Sequence, residues 1–219
     1  MGFTGFPDEA FVFYEGLEAD NSKTYFTLHR HLYEEAVRAP MLALVEELAE
    51  EFGTAKLFRP YRDVRFAKDK SPYKDHQGAF IDVQPGVGLY VEVGASGLYT
   101  AGGFYTQAPD QVARYRAAVD QDLSGKPLER IVADLRDRGY TVDGDRLKTR
   151  PRGVPEDHPR LDLLRHRSLH CGRRYEPEPW VHTPEAGERV RATWRDYGPL
   201  VEWVAAHVRG SELISAGRR

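Results

Sequence analysis

Sixteen consecutive residues, Arg59 to Lys74, read R-P-Y-R-D-V-R-F-A-K-D-K-S-P-Y-K and carry six cations: Arg59, Arg62, Arg65, Lys68, Lys70 and Lys74. Asp63, Asp69, Tyr61 and Tyr73 stand between them. A guanidinium presents paired donors that match the oxygens of a phosphate or carboxylate, and a lysine adds a point charge. The block therefore reads as a site for a small anionic, phosphate-bearing ligand held by these six side chains. Asp63 would orient an arginine, and Tyr73 would add a hydroxyl donor or a stacking ring. Three other readings stand beside this one. An enzyme acting on a phosphorylated substrate would use Asp63 or Asp69 as general base or Mg²⁺ ligand, with the arginines stabilising charge in the transition state. A nucleic acid would stack bases on Tyr61, Phe66 and Tyr73. A purely structural hub would pair the cations with carboxylates and fix helices on a sheet.

Charge along the chain supports a local cationic site. Residues 1–53 hold eleven acids against Lys23, Arg30 and Arg38, whereas residues 54–76 hold seven cations against Asp63, Asp69 and Asp75. The whole chain of 219 residues has a formal net charge of -3, which argues against a large nucleic-acid footprint. A second basic segment, Arg146, Lys148, Arg150 and Arg152, would either meet the first in a phosphate cleft or form an ordinary surface loop.

Other candidates are weaker. His166 and His170 are four apart beside Cys171, but there is no cysteine pair and no H-E-x-x-H, so no metal site is expected. Asp157-His158 reads as a salt-bridged or capping pair rather than a base with its orienting acid, because no nucleophile accompanies it. Cys171 reads as a buried strand residue. No P-loop, no G-x-G-x-x-G after a strand and no G-x-S-x-G occurs, so no cofactor is named. One cysteine excludes an internal disulfide and fits a reducing cytoplasm. The start M-G-F-T-G-F-P-D-E lacks a signal peptide's features, and no apolar run reaches a membrane span. A cytoplasmic protein is expected, with no membrane partner. Nothing in the sequence sets an oligomeric state.

The elements that must position the block follow from periodicity. Helices are predicted within 4–20 and 24–29. A further helix over 33–52 carries Val37, Met41, Leu44, Val45, Leu48 and Phe52 on one face, with Pro40 as a kink or break near Ala39. Lys56 to Tyr61 is a short extended entry to the block. Residues 78–106 alternate as three strands joined by hairpin turns at 84–86 and 94–97, with Leu89, Val91 and Val93 on one face and Tyr90 and Glu92 on the other. Helices follow over 109–122 and 128–138, separated by a reset at Ser124-Gly125-Lys126-Pro127. Asp143-Gly144-Asp145 predicts a small hairpin, 161–165 a short helix and 168–175 a strand. A last helix begins near Thr183, with Gly198-Pro199 as a point of division. Segregated helices and strands predict an α+β fold, an antiparallel meander of hairpins packed by N-terminal, middle and C-terminal helices. One domain over 1–208 and a polar tail over 209–219 are expected.

The block resembles the hallmark of the bacterial family catalogued as domain of unknown function 2461. F-P-D-E-A-F-V-F-Y-E-G-L-E-A-D-N-S-K-T-Y-F near the start, G-L-Y-V-E-V, the Gly102-Gly103-Phe104-Tyr105 step and L-K-T-R-P-R-G-V-P-E-D-H-P agree with it, through about Tyr175. Tyr25 stands where the family pattern has tryptophan. The resemblance singles out Arg59, Arg62, Asp63, Arg65, Phe66, Lys70 and Tyr73 and implies no activity for them.

Overall fold

The structure, a computed structural model, describes residues 2–65, 68–105 and 108–211. Phe66 and most of the expected polar tail lie outside the described residues. The fold is α+β, and the six strands among the described residues form one antiparallel sheet in the order β1-β2-β3-β4-β6-β5. These are β1 (Ala55–Leu57), β2 (His76–Gln84), β3 (Val87–Gly94), β4 (Gly97–Phe104), β5 (Thr141–Asp143) and β6 (Leu169–Tyr175). Strands β2, β3 and β4 form the expected meander of hairpins, and β1 adds to its edge. Packing groups the chain into two compact units, described in turn: Met1–Ile81 with Tyr90–Thr100 and Arg174–Thr193, and Asp82–Leu89 with Ala101–Arg173 and Trp194–Arg219.

In the first unit, α1 (Asp8–Ala19) starts with Asp8 and Glu9 at its positive end and buries Phe11, Phe13, Tyr14 and Leu17. Asp20 ends it, and Ser22 caps α2 (Lys23–Leu28) by accepting from the Tyr25 N–H at 3.1 Å. A short turn, α3 (Arg30–Leu32), follows. Pro40 can give no N–H and its ring crowds the carbonyl four residues back. The chain meets this with a wider π turn over Tyr33–Arg38, so that Pro40 falls in the first turn of α4 (Ala39–Phe52). The predicted break is thus a change of helix type, and Val37, Met41, Leu44, Val45 and Leu48 still bury one face. Strand β1 pairs with β2 in the register Ala55↔Ile81, Lys56↔Phe80 and Leu57↔Ala79.

In the second unit, α5 (Pro109–Asp120) and α6 (Asp122–Asp137) pack together, and α6 also meets β5. The predicted reset at 124–127 does not occur. Helix α6 begins at Asp122 and runs through Pro127, because Gly125 lets its start pass where a Cβ would lie 2.2 Å from the Val119 carbonyl oxygen. The predicted hairpin at 143–145 is also absent. Thr141, Val142 and Asp143 pair instead with Gly172, Cys171 and His170 of β6, and the Arg167 and Ser168 amides both donate to the Asp145 carbonyl. A distant strand with exposed ladder groups outcompeted the local turn. After α7 (Leu161–Leu164), β6 carries Cys171, which is fully buried, with its Sγ 3.5 Å from the Gly102 carbonyl oxygen. Burial holds this thiol far above its usual range.

Helix α8 (Glu185–Val208) is continuous through Gly198-Pro199, against the expected division. Its buried Val190, Trp194, Tyr197, Leu200, Val201 and Val204 outweigh the one backbone hydrogen bond that proline removes. No helix among the described residues is long and apolar enough to cross a membrane.

Two predictions follow from packing. At Gly97, φ is +104° and a Cβ would lie 2.1 Å from the Tyr175 carbonyl oxygen. Gly97→Ala should therefore lower unfolding stability by about 2 kcal/mol or more in a urea titration. Burial holds the imidazoles of both His166 and His170 below the ordinary value of 6.5. The unfolded chain then binds more protons in the window between the lowered values and 6.5. Stability should be full above 6.5 and decline as pH falls through that window, read as a falling urea midpoint.

Candidate functional site

The basic block folds as a closed loop in the first unit. Its ends pair at a Tyr61–Tyr73 bridge, with the Arg62 N–H donating to the Pro72 carbonyl at 2.9 Å and the Lys74 N–H to the Pro60 carbonyl at 2.8 Å. One side chain fastens this base. The Asn21 amide donates to the Tyr73 carbonyl at 3.2 Å and its carbonyl oxygen accepts from the Tyr73 N–H at 3.0 Å. The Tyr73 ring lies flat on Phe26, centroids 4.2 Å apart and planes within 3°. Tyr73 is 4% exposed and Tyr61 is 51% exposed. Tyr73 is therefore an anchor, and Tyr61 is the ring that reaches solvent. Below the base, the Tyr33 hydroxyl donates to Gln77 at 2.6 Å, and Gln77 donates to the Phe58 and Gly78 carbonyls at 2.9 Å. Burial, then Glu34, pushes the Tyr33 hydroxyl up to about 12, so it stays a donor.

The block's cations separate into two groups. At the loop's far end Arg65 grips Asp63 with two bonds, Nε to Oδ1 at 3.0 Å and Nη2 to Oδ2 at 2.7 Å. That grip holds the Asp63 carboxyl below the usual range. Lys70 donates to the Val64 carbonyl at 3.0 Å. Lys68 is exposed. Asp69 accepts from the Ser71 N–H at 2.9 Å and hydroxyl at 2.6 Å and pairs with Arg62. Ser71 first, with Arg62 adding to it, lowers the Asp69 pKa. Both carboxylates proposed as a general base are thus held by arginine.

At the loop's base the other three cations converge. The Lys74 ammonium sits 4.8 Å from the centre of the Phe58 ring. Burial, then Arg59 and Arg62, depresses its pKa below the usual lysine range. Among the described residues neither Arg59 nor Lys74 has an ion pair. Arg62 does, reaching Asp69 on one side and Asp75 at 3.8 Å on the other.

Past Asp75 the polar chain continues into a cavity of about 270 Å³ lined by Glu18, Asp75, His76, Glu92, Ser96 and Arg174. His76 Nδ1 lies 2.7 Å from Asp75, and Nε2 lies 3.4 Å from Glu92. Glu92 also accepts from the Tyr90 hydroxyl at 2.6 Å and from Arg174 at 3.2 Å. The imidazole bridges the carboxylate that precedes β2 and one in β3. Sequence reading passed over His76 and Glu92. The local signal was Asp75-His76 directly after the block, and Glu92 sharing a strand face with Tyr90.

The remaining candidates, Arg146, Lys148, Arg150 and Arg152 among them, belong to the second unit. His158 faces Asp120 at 3.1 Å rather than Asp157, and its Nδ1 accepts from the Arg160 N–H at 3.1 Å. His170 stacks on Tyr105. Among the described residues no group of three or more His, Cys, Asp or Glu is placed to hold a metal ion.

A family model described as a conserved hypothetical protein, domain of unknown function 2461, matches residues 9–203. No curated protein matches the chain.

These contacts set two expectations. Arg62 keeps 26% of its side chain exposed, so Arg62→Ala should cost only about 1 kcal/mol in urea unfolding, as for a surface ion pair. Asn21→Ala leaves two main-chain groups of Tyr73 without partners. It should cost about 1–3 kcal/mol and speed hydrogen exchange at the Arg62 and Lys74 amides.

Proposed function

The chain belongs to the family of domain of unknown function 2461, whose name carries no activity, and on its own geometry we propose that it binds a small phosphate-bearing anion at the base of the basic loop. Arg59, Arg62 and Lys74 are the proposed ligands. The observation that carries this reading is the crowding of three like charges around Lys74. An ammonium held beside two guanidinium groups, and partly out of water, is an unfavourable arrangement that a bound anion relieves. The Phe58 ring under Lys74 keeps the ammonium in place while leaving its charge available.

Arg65, Lys68 and Lys70 take a different part in this proposal. Arg65 and Lys70 hold the loop's shape through Asp63 and the Val64 carbonyl. They give the loop the rigidity that an anion site needs. A reducing cytoplasm suits a chain whose one cysteine is buried and unpaired. A nucleic acid is the second reading, favoured by the exposed Tyr61 ring beside the cations, and a steep loss of affinity with salt distinguishes it.

The test is thermal unfolding and calorimetry of the full chain with inorganic phosphate, nucleotides and short oligonucleotides. At a hundred times its dissociation constant, a ligand should stabilise the native state by about 2.7 kcal/mol. Lys74→Ala and Arg59→Ala should abolish the shift, while Arg65→Ala should keep it. Retention in both of the first two variants would refute the assignment. Binding restores a favourable partner to Lys74 and raises its pKa. Affinity should therefore be constant at low pH and fall as pH rises through the depressed Lys74 value.

A further inference from the structure

The second unit contains a cavity of about 230 Å³ whose wall includes Glu129, Arg136, Arg146, Arg160, Asp162 and His166. Arg160, only 3% exposed, is neutralised by Asp122 at 2.8 Å and Glu129 at 3.5 Å. It also donates to the Val119 and Asp120 carbonyls. The Asp162 carboxylate faces Arg165 at 3.6 Å. Arg136 and Arg146 are different. Neither has an ion pair or side-chain hydrogen bond among the described residues. The two acids of the wall are thus already turned to other cations, and the cavity keeps two unmatched guanidinium groups.

His166 is the second observation. It is 2% exposed. Its Nδ1 lies 3.0 Å from the Ser168 carbonyl oxygen, which can only accept, so Nδ1 bears the hydrogen. In the neutral ring Nε2 is then a bare acceptor. Among the described residues it has no partner, and it is not among the sealed orphan atoms of the structure. The ring lines the cavity, and Nε2 is its one nitrogen without a partner there. The ring stays neutral because burial first, and then Arg146 and Arg136, oppose its charge against the Ser168 carbonyl and Asp143.

Two free guanidinium donors beside one free acceptor describe a particular guest. It must carry negative oxygens for the arginines and one hydrogen to give to Nε2. A hydrogen-bearing phosphate group does both, whereas a sulfate has the charge but no hydrogen. We infer that Arg136, Arg146 and His166 form a second anion site, selective for a protonated phosphate group, independent of the loop at residues 59–74.

The experiment is calorimetric titration of the full chain with inorganic phosphate and, separately, with sulfate, in an Arg59→Ala/Lys74→Ala background that lacks the first site. One phosphate per chain should still bind. Arg146→Gln, at an exposed position, should weaken it about tenfold or more. Sulfate should bind about tenfold more weakly than phosphate, the cost of leaving Nε2 without a donor. The His166 ring signal in NMR should move on adding phosphate. His166→Asn should bring sulfate and phosphate closer together; if that variant fails to fold, Arg146→Gln and the sulfate comparison decide alone. Loss of all phosphate binding in the background variant, no effect of Arg146→Gln, or sulfate binding as well as phosphate would each overturn the inference.

Discussion

A main-chain N–H and C=O taken from water must both find partners. At Tyr73 both find the same one, the Asn21 amide. That pair of bonds decides where the basic loop closes. It seats Tyr73 on Phe26, which sets the bridge to Tyr61 and so the spacing of Arg62 and Lys74. Asn21 sits between α1 and α2, where Asp20 has just ended one helix and Ser22 begins the next. A turn residue between two helices thus anchors Tyr73, 52 residues further along the chain, and with it the cationic surface of the loop.

Electrostatics then sorts the block. A loop with six cations and two internal carboxylates cannot leave every charge free and keep its shape. Where an aspartate lies two residues from an arginine, as Asp63 does from Arg65, the short span closes a bidentate pair and both groups are neutralised. Where no carboxylate comes within ion-pair distance, as for Arg59 and Lys74 among the described residues, the cation keeps no salt bridge, and Arg59 acts on Asp63 only at longer range. Arg62 belongs to both groups. It holds Asp69 and Asp75 together, and an anion at the proposed site would have to compete with both for one guanidinium. Such competition would favour a doubly charged ligand over chloride, because a single charge gains too little from the exchange.

The amino-acid sequence made the sheet legible where alternation was strict. Leu89, Val91 and Val93 bury one face of β3, and Tyr90 and Glu92 turn to the other, as the period of two requires. Three local signals misled: the turn at 143–145 and the prolines at 127 and 199. In each case non-local burial or strand pairing exceeded a local preference of a few kcal/mol. The candidate site was legible as a segment and not as a constellation. Spacing by three could not tell that Arg65 turns to Asp63 while Arg62 reaches Asp75, because both choices depend on where the loop closes. His76 and Glu92 escaped for the same reason. They are sixteen residues apart and meet only through strand pairing.

Cys171 has a consequence in kinetics. Its thiol lies in β6 with no exposed surface, and burial keeps it protonated. A thiol reagent attacks the thiolate, so the native chain should be inert until β6 parts from its neighbours. Because the chain has a single cysteine, every labelling event reports that one opening. The rate of label uptake is therefore a clock for local unfolding in the second unit, readable without any introduced probe.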